Sequence, residues 1–340
     1  MARGSHRWVA VIRTSVVSVV LLVAFGALFA SADALFADWI GMIVPSVPLH
    51  DVPARAVLGT VVAGITLAAA YVALAPPAVD AARRLGRRST SRFEWLVPLV
   101  VVDAVMAVFL VAQATALFGG HAYLRRTTGL TYAEYVHQGF GELTVATLLT
   151  LSVLGWVGRT AAPGRHRDVA AGALGVMTLV VVTSALHRMS LYMDAYGFTR
   201  LRLLVSVFEG WLGVVVALVL VGGLLRATWV ARVAIRVGAA ALLALALANP
   251  DAWIAEHNLT RDTSTTPIDY GYLGTLSSDA YPVIARLPQA EFVCVTSASV
   301  ERIDDEGWLG WNLGRHRAAD LEDRRPPAAD GAPCVRPSGP

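Results

Sequence analysis

Apolar runs of about 20 residues recur along this chain, and each matches the roughly 30 Å hydrocarbon core of a bilayer crossed at about 1.5 Å per helical residue. They fall at residues 14–30, 56–79, 95–118, 139–157, 169–186 and 202–225, with a last one closing at Ala248 before Asn249-Pro250. Backbone in lipid finds no water to bond, so it must satisfy its own N–H and C=O groups, and runs of this length do so as helices. The expected fold is therefore all-α, a polytopic transmembrane helix bundle of about seven spans. With 56% hydrophobic and 16% charged residues, the chain is too apolar for a soluble domain of 340 residues.

Arginine distribution orients the bundle, because cytoplasmic loops collect basic residues. Arg83, Arg84, Arg87, Arg88 and Arg92 crowd one short loop, Arg159, Arg165 and Arg167 another, and Arg3, Arg7 and Arg13 precede the first span. With Arg226, Arg232 and Arg236 the inner segments hold fourteen arginines, against six in the short outer loops. The expected topology is a multi-pass protein of a bacterial inner membrane, N-terminus cytoplasmic and C-terminus extracytoplasmic. The first run, followed by Ala30-Ser31-Ala32, is read as a retained span; the same pattern describes a cleavable signal peptide. A net charge of +3 gives no reason to expect a nucleic-acid partner.

Three segments are expected: a transmembrane domain at 1–249, a small helical extracytoplasmic tail at 250–323, and a disordered end at 324–340 rich in Pro, Ala and Gly. Asn249 before Pro250-Asp251 reads as a helix N-cap with proline in the first turn. That helix is expected to run through Asn258, with others opening near Ser278 and covering about 298–321. Cys294 and Cys334 both lie in this tail; outside the cytoplasm they are free to form a disulfide, and otherwise they are two thiols.

Ionisable residues within the spans are the informative ones, since each costs about 2.5–3.5 kcal/mol at a helix centre unless partnered or wet. Asp103, Glu142, Arg202 and Glu209 qualify. Arg202 and Glu209 are seven residues apart and share one helical face with Ser206 between them. Gly197 is the natural place for the chain to turn into that span. The expected site is a polar cluster near the outer leaflet made from Glu142, Arg188, Arg202 and Glu209, rimmed by Tyr192, Asp194 and Tyr196. Arginines against carboxylates suit an anionic ligand, a lipid headgroup or a carboxylate; they equally suit buried ion pairs that fix helix register. Asp103 and Gln113 stand as intramembrane polar residues, either on a proton or ion path or bonded to a neighbouring helix. The scattered histidines have no metal-site spacing, no metal or other cofactor is expected, and the phosphate-loop, zincin, nucleophile-elbow and dinucleotide-binding signatures are missing.

Several short motifs recur together: Ser31-Ala32-Asp33-Ala34, Glu94-Trp95, Leu117-Phe118-Gly119-Gly120, Tyr132-Ala133-Glu134-Tyr135 and Gly139-Phe140-Gly141-Glu142-Leu143. Later come Ala195-Tyr196-Gly197-Phe198-Thr199-Arg200-Leu201-Arg202, Asn249-Pro250-Asp251, Leu276-Ser277-Ser278-Asp279-Ala280 and Trp311-Asn312-Leu313-Gly314-Arg315. Over roughly residues 29–317 this combination resembles the bacterial membrane proteins grouped as domain of unknown function 4173, close to the related family 4153. His137 stands where that pattern has an arginine. The resemblance implies a multi-span membrane protein without an established activity and brings no catalytic residues. The expected function is binding of an anionic or lipidic ligand, or of a partner, at the outer face, as a sensor or accessory subunit. A secondary transporter using an intramembrane carboxylate is the alternative, and a membrane-embedded transferase using Glu142 or Glu209 as base is a third.

Overall fold

A computed structural model describes residues 2–43, 91–128, 139–225, 227–261, 267–296 and 313–323. The helices are α1 (Ala2–Ala32), α2 (Ala34–Ile43), α3 (Arg92–Thr128), α4 (Phe140–Thr160), α5 (Arg165–Tyr196), α6 (Arg200–Leu225) and α7 (Val230–Leu247). Then follow α8 (Pro250–Thr260), α9 (Tyr270–Leu273), α10 (Tyr281–Ile284), α11 (Gln289–Thr296) and α12 (Leu313–Asp323). Six of them, α1 and α3 to α7, contain stretches long and apolar enough to cross a membrane. The protein is an all-α polytopic membrane protein, and no strand occurs among the described residues. The expected span at 56–79, the arginines at 83–88, His137, Cys334 and the 324–340 end lie outside the described residues.

By compactness the chain divides into two units, Met1–Arg188 with Glu209–Ala234, and Met189–Phe208 with Ile235–Pro340. In the first, α1 and α3 lie side by side in the same direction. Arg13 pairs with Glu94 near their beginnings. Farther along both, Phe29 stacks on Phe109 with ring centroids 4.0 Å apart, and Phe36 meets the same ring edge-on at 5.6 Å. All three phenylalanines are fully enclosed, so this aromatic knot anchors α2 as well. α4 runs the other way, because its start lies against the end of α1. Gly139 has φ +89°, and a Cβ there would sit 2.2 Å from the Ala32 carbonyl oxygen. Only glycine allows both that backbone and that approach.

α5 and α6 form an antiparallel pair closed by small residues, as is usual where lipid supplies no hydrophobic drive and backbones must come close. Leu220 of α6 covers Gly175 of α5, and Val182 of α5 covers Gly213 of α6. α7 returns along α6, with the Trp211 indole N–H donating to the Ala234 carbonyl at 3.0 Å.

The second unit is built around the α5–α6 corner and the tail helices. Gly197 makes the corner at φ +86°. Asn249 caps α8, its side chain accepting from the Ala252 N–H at 3.3 Å, with Pro250 in the first turn. A 3-10 turn over Ser278–Ala280 leads into α10, which carries Pro282 in its first turn where a missing N–H costs nothing. Ile254, Ala255, Leu273, Ala280, Val295 and Ala318 form the centre of its core. α11 and the short α9 are not anticipated by the sequence reading, and α12 is the described part of the helix expected at 298–321. Cys294 on α11 is disulfide-bonded, and Cys334 is the chain's other cysteine.

Candidate functional site

In the first unit, Asp33 terminates α1 and starts α2. One of its oxygens accepts from the Leu35 and Phe36 N–H groups at 3.0 and 3.1 Å, an N-cap. The other accepts from an Arg188 terminal nitrogen at 3.1 Å. Asp33 is fully enclosed, so the pair is a desolvated ion pair rather than a surface one. Arg188, expected beside Glu142 and Glu209, is thus bonded to an acid 155 residues away in sequence. The signal was present in part: an Asp followed by a ten-residue apolar helix is an N-cap pattern.

Glu209 lies nine residues into α6 and is completely buried. The Thr147 hydroxyl on α4 lies 3.2 Å from one of its oxygens, and Thr144 makes a second side-chain hydrogen bond to it. Each threonine also faces its own helix: the Leu143 carbonyl lies 2.9 Å from the Thr147 hydroxyl and the Phe140 carbonyl 3.1 Å from that of Thr144. A hydroxyl has one proton, so whatever each gives to the helix carbonyl it withholds from the carboxyl. The second oxygen, Oε2, has no partner among the described residues. A buried carboxyl with an open oxygen is an expensive arrangement to keep. Thr147 carries no sequence signal, since threonines bonded to the carbonyl four residues back are common in membrane helices.

Asp103 and Gln113 share this condition on α3. Oδ1 of the half-buried Asp103 and Nε2 of the buried Gln113 have no partner among the described residues. Glu142 is half-buried in the first turn of α4.

In the second unit, Arg202 folds back onto the end of α5. It donates to the Gly197 carbonyl at 2.6 Å and to the Tyr192 hydroxyl at 3.2 Å, and its guanidinium lies over the Tyr192 ring, 4.4 Å from the centroid. Arg261 donates to the Ala195 carbonyl at 3.2 Å. Two cations therefore satisfy carbonyls that the helix end leaves open, at the pole where positive charge is favoured. Tyr192 packs on Tyr196 with centroids 4.8 Å apart, and Asp194 and Tyr196 are exposed.

The motif residues of this unit hold one another. Asn258 grips Phe198 at both backbone atoms, accepting from its N–H at 2.6 Å and donating to its carbonyl at 2.9 Å. Arg200 makes a two-point bond to Asp251, which also accepts from the Ser277 N–H at 2.9 Å. Burial alone would push the Asp251 carboxyl up, but the hydrogen bonds from Arg200 and Ser277 outweigh it and hold it below its ordinary 3.8. Asn258-Leu259-Thr260, a glycosylation triplet in form, is occupied: Asn258 is buried and both its amide atoms are engaged. Among the described residues no three His, Cys, Asp or Glu side chains gather as a metal site would need.

The family model described as a domain of unknown function, DUF4153, matches residues 1–287, and the chain belongs to that family. It is the second of the two families that the motifs resemble. No curated protein and no solved structure matches the chain.

Proposed function

We propose, starting from membership of this membrane family, that the protein is a membrane-embedded binding protein, a sensor or accessory subunit, whose ligand is taken up at Glu209. The observation that carries this reading is that Oε2 of this completely buried carboxyl inside the bundle has no partner among the described residues. A ligand that donates a hydrogen bond or carries positive charge would complete it, whereas an anion would have to compete with Asp33 for Arg188 and with the α5 carbonyls for Arg202.

The orientation proposed is N-terminus cytoplasmic and C-terminus extracytoplasmic in a bacterial inner membrane. Supporting it are the arginine count and the disulfide at Cys294, a bond that persists in oxidising compartments. The complete enclosure of Phe25 and Phe29 supports keeping the first span in the working protein.

A thermal-shift series on the full chain in nanodiscs tests the reading, with sodium, potassium, tetramethylammonium and spermidine as probes. At least one probe is expected to raise the melting temperature of the wild type and to leave Glu209→Gln unmoved. Equal responses, or none, would contradict it. A transporter is the second reading, favoured by the Asp103 and Gln113 atoms that have no partner among the described residues. It requires that Asp103→Asn abolish flux of the same probe in proteoliposomes while binding persists.

A further inference from the structure

Between α1 and α4 lies a groove of about 540 Å³, lined on α4 from Leu149 to Thr160, beyond the Thr147 that meets Glu209. Its walls are apolar, with Val17 and Leu21 from α1 and Leu149 and Val153 from α4. One end is polar. There α1 brings Arg13 and α4 brings Trp156 to the same level, since the two helices run in opposite directions.

Arg13 bonds Glu94 through one terminal nitrogen, while 60% of its side chain stays exposed. Glu94 is occupied on both oxygens, by Arg13 and by the Ser91 N–H at 2.9 Å. The remaining guanidinium donors are thus left facing outward at the mouth of the groove. From Arg13 to Leu21 the helix rises about 12 Å, most of the roughly 15 Å that one leaflet contributes to the hydrocarbon core. Tryptophan at that level suits the interface, with its ring in hydrocarbon and its N–H toward the headgroups.

We propose that this groove is a binding site for one anionic phospholipid of the leaflet on the amino-terminal side of α1. One acyl chain lies along Val17, Leu21, Leu149 and Val153, and the phosphate is bonded by Arg13. The occupant follows from complementarity: the walls match a hydrocarbon chain, the depth matches one leaflet, and the only charge with open donors at the mouth, among the described lining residues, is positive. An arginine fork suits a phosphate oxygen pair better than a zwitterionic surface.

The test is native mass spectrometry of the full chain released from nanodiscs of mixed phosphatidylglycerol and phosphatidylcholine. Wild type is expected to retain one phosphatidylglycerol in preference to phosphatidylcholine. Arg13→Gln is expected to lower that preference about fivefold, the scale of one arginine–anionic lipid contact. Glu94→Gln, which breaks the same ion pair but leaves the positive charge, is expected to keep the preference or raise it. Ser152→Phe, which narrows the groove from its exposed lip, is expected to release the lipid without unfolding the protein. Equal retention of the two lipids would overturn the proposal. So would equal losses in Arg13→Gln and Glu94→Gln, which would make the pair structural only, or a wild-type crosslink showing the groove filled by residues of the chain itself.

Discussion

At the scale of single residues, the polar side chains divide into those that are satisfied and those that are not. Asp33 is spoken for twice, by the α2 backbone and by Arg188. Asp33→Ala takes the acid away from a buried guanidinium and is expected to cost about 3–5 kcal/mol, read as a large drop in melting temperature in detergent; Asp33→Asn keeps the cap and is expected to lose less. In the tail, the folded-state value of Asp251 lies below its ordinary 3.8. Its stabilisation is therefore complete above 3.8 and lost as pH falls through the folded value. Acid unfolding followed by Trp253 fluorescence is expected to begin at higher pH in Arg200→Gln than in wild type. Burial and the neighbouring Glu291 push the Tyr270 phenol from 10.0 up to about 12, so its contribution is full below 10.0 and fades as pH approaches 12.

Elements were the most legible scale, because bilayer thickness sets the length of a span and little else competes with it. The run expected at 202–225 is the helix Arg200–Leu225, and the run at 139–157 is Phe140–Thr160. Local punctuation was legible too: Asn249 caps and Gly197 turns, since each depends on a few consecutive residues. Partner choice was not legible. Periodicity puts Arg202 and Glu209 on one stripe of α6, but it cannot say that Arg202 bends back to α5 or that Thr147 meets Glu209. The triplet at Asn258 likewise carries no information about burial. Gly197→Ala tests the corner: a side chain in the left-handed region costs about 1–2 kcal/mol, and its Cβ would sit 2.9 Å from the Asn258 oxygen. The expected outcome is a destabilised tail that Asn258→Ala partly relieves in the double variant.

For the molecule as a whole, two ion pairs give a ruler. Arg13–Glu94 and Asp33–Arg188 are anchored twenty residues apart on and just beyond α1, about 30 Å of helix, the thickness of a hydrocarbon core. Charged pairs at both ends and apolar packing between them are what a membrane slab imposes. Single-cysteine labelling is expected to find position 13 reachable from one side of intact spheroplast membranes and position 194 from the other; labelling of both from one side would refute that topology. The parity also rests on the span expected at 56–79. Between the two ends, Glu209 is a completely buried carboxyl that neither slab nor packing explains. The most direct measurement is labelling of the purified full chain with dicyclohexylcarbodiimide, a hydrophobic reagent for carboxyls inside membranes, mapped by peptide mass. The expected result is an adduct on Glu209 that is absent in Glu209→Gln and suppressed by the cationic probe that raises the melting temperature. An unreactive Glu209, or one whose labelling no probe changes, would contradict a binding role for it.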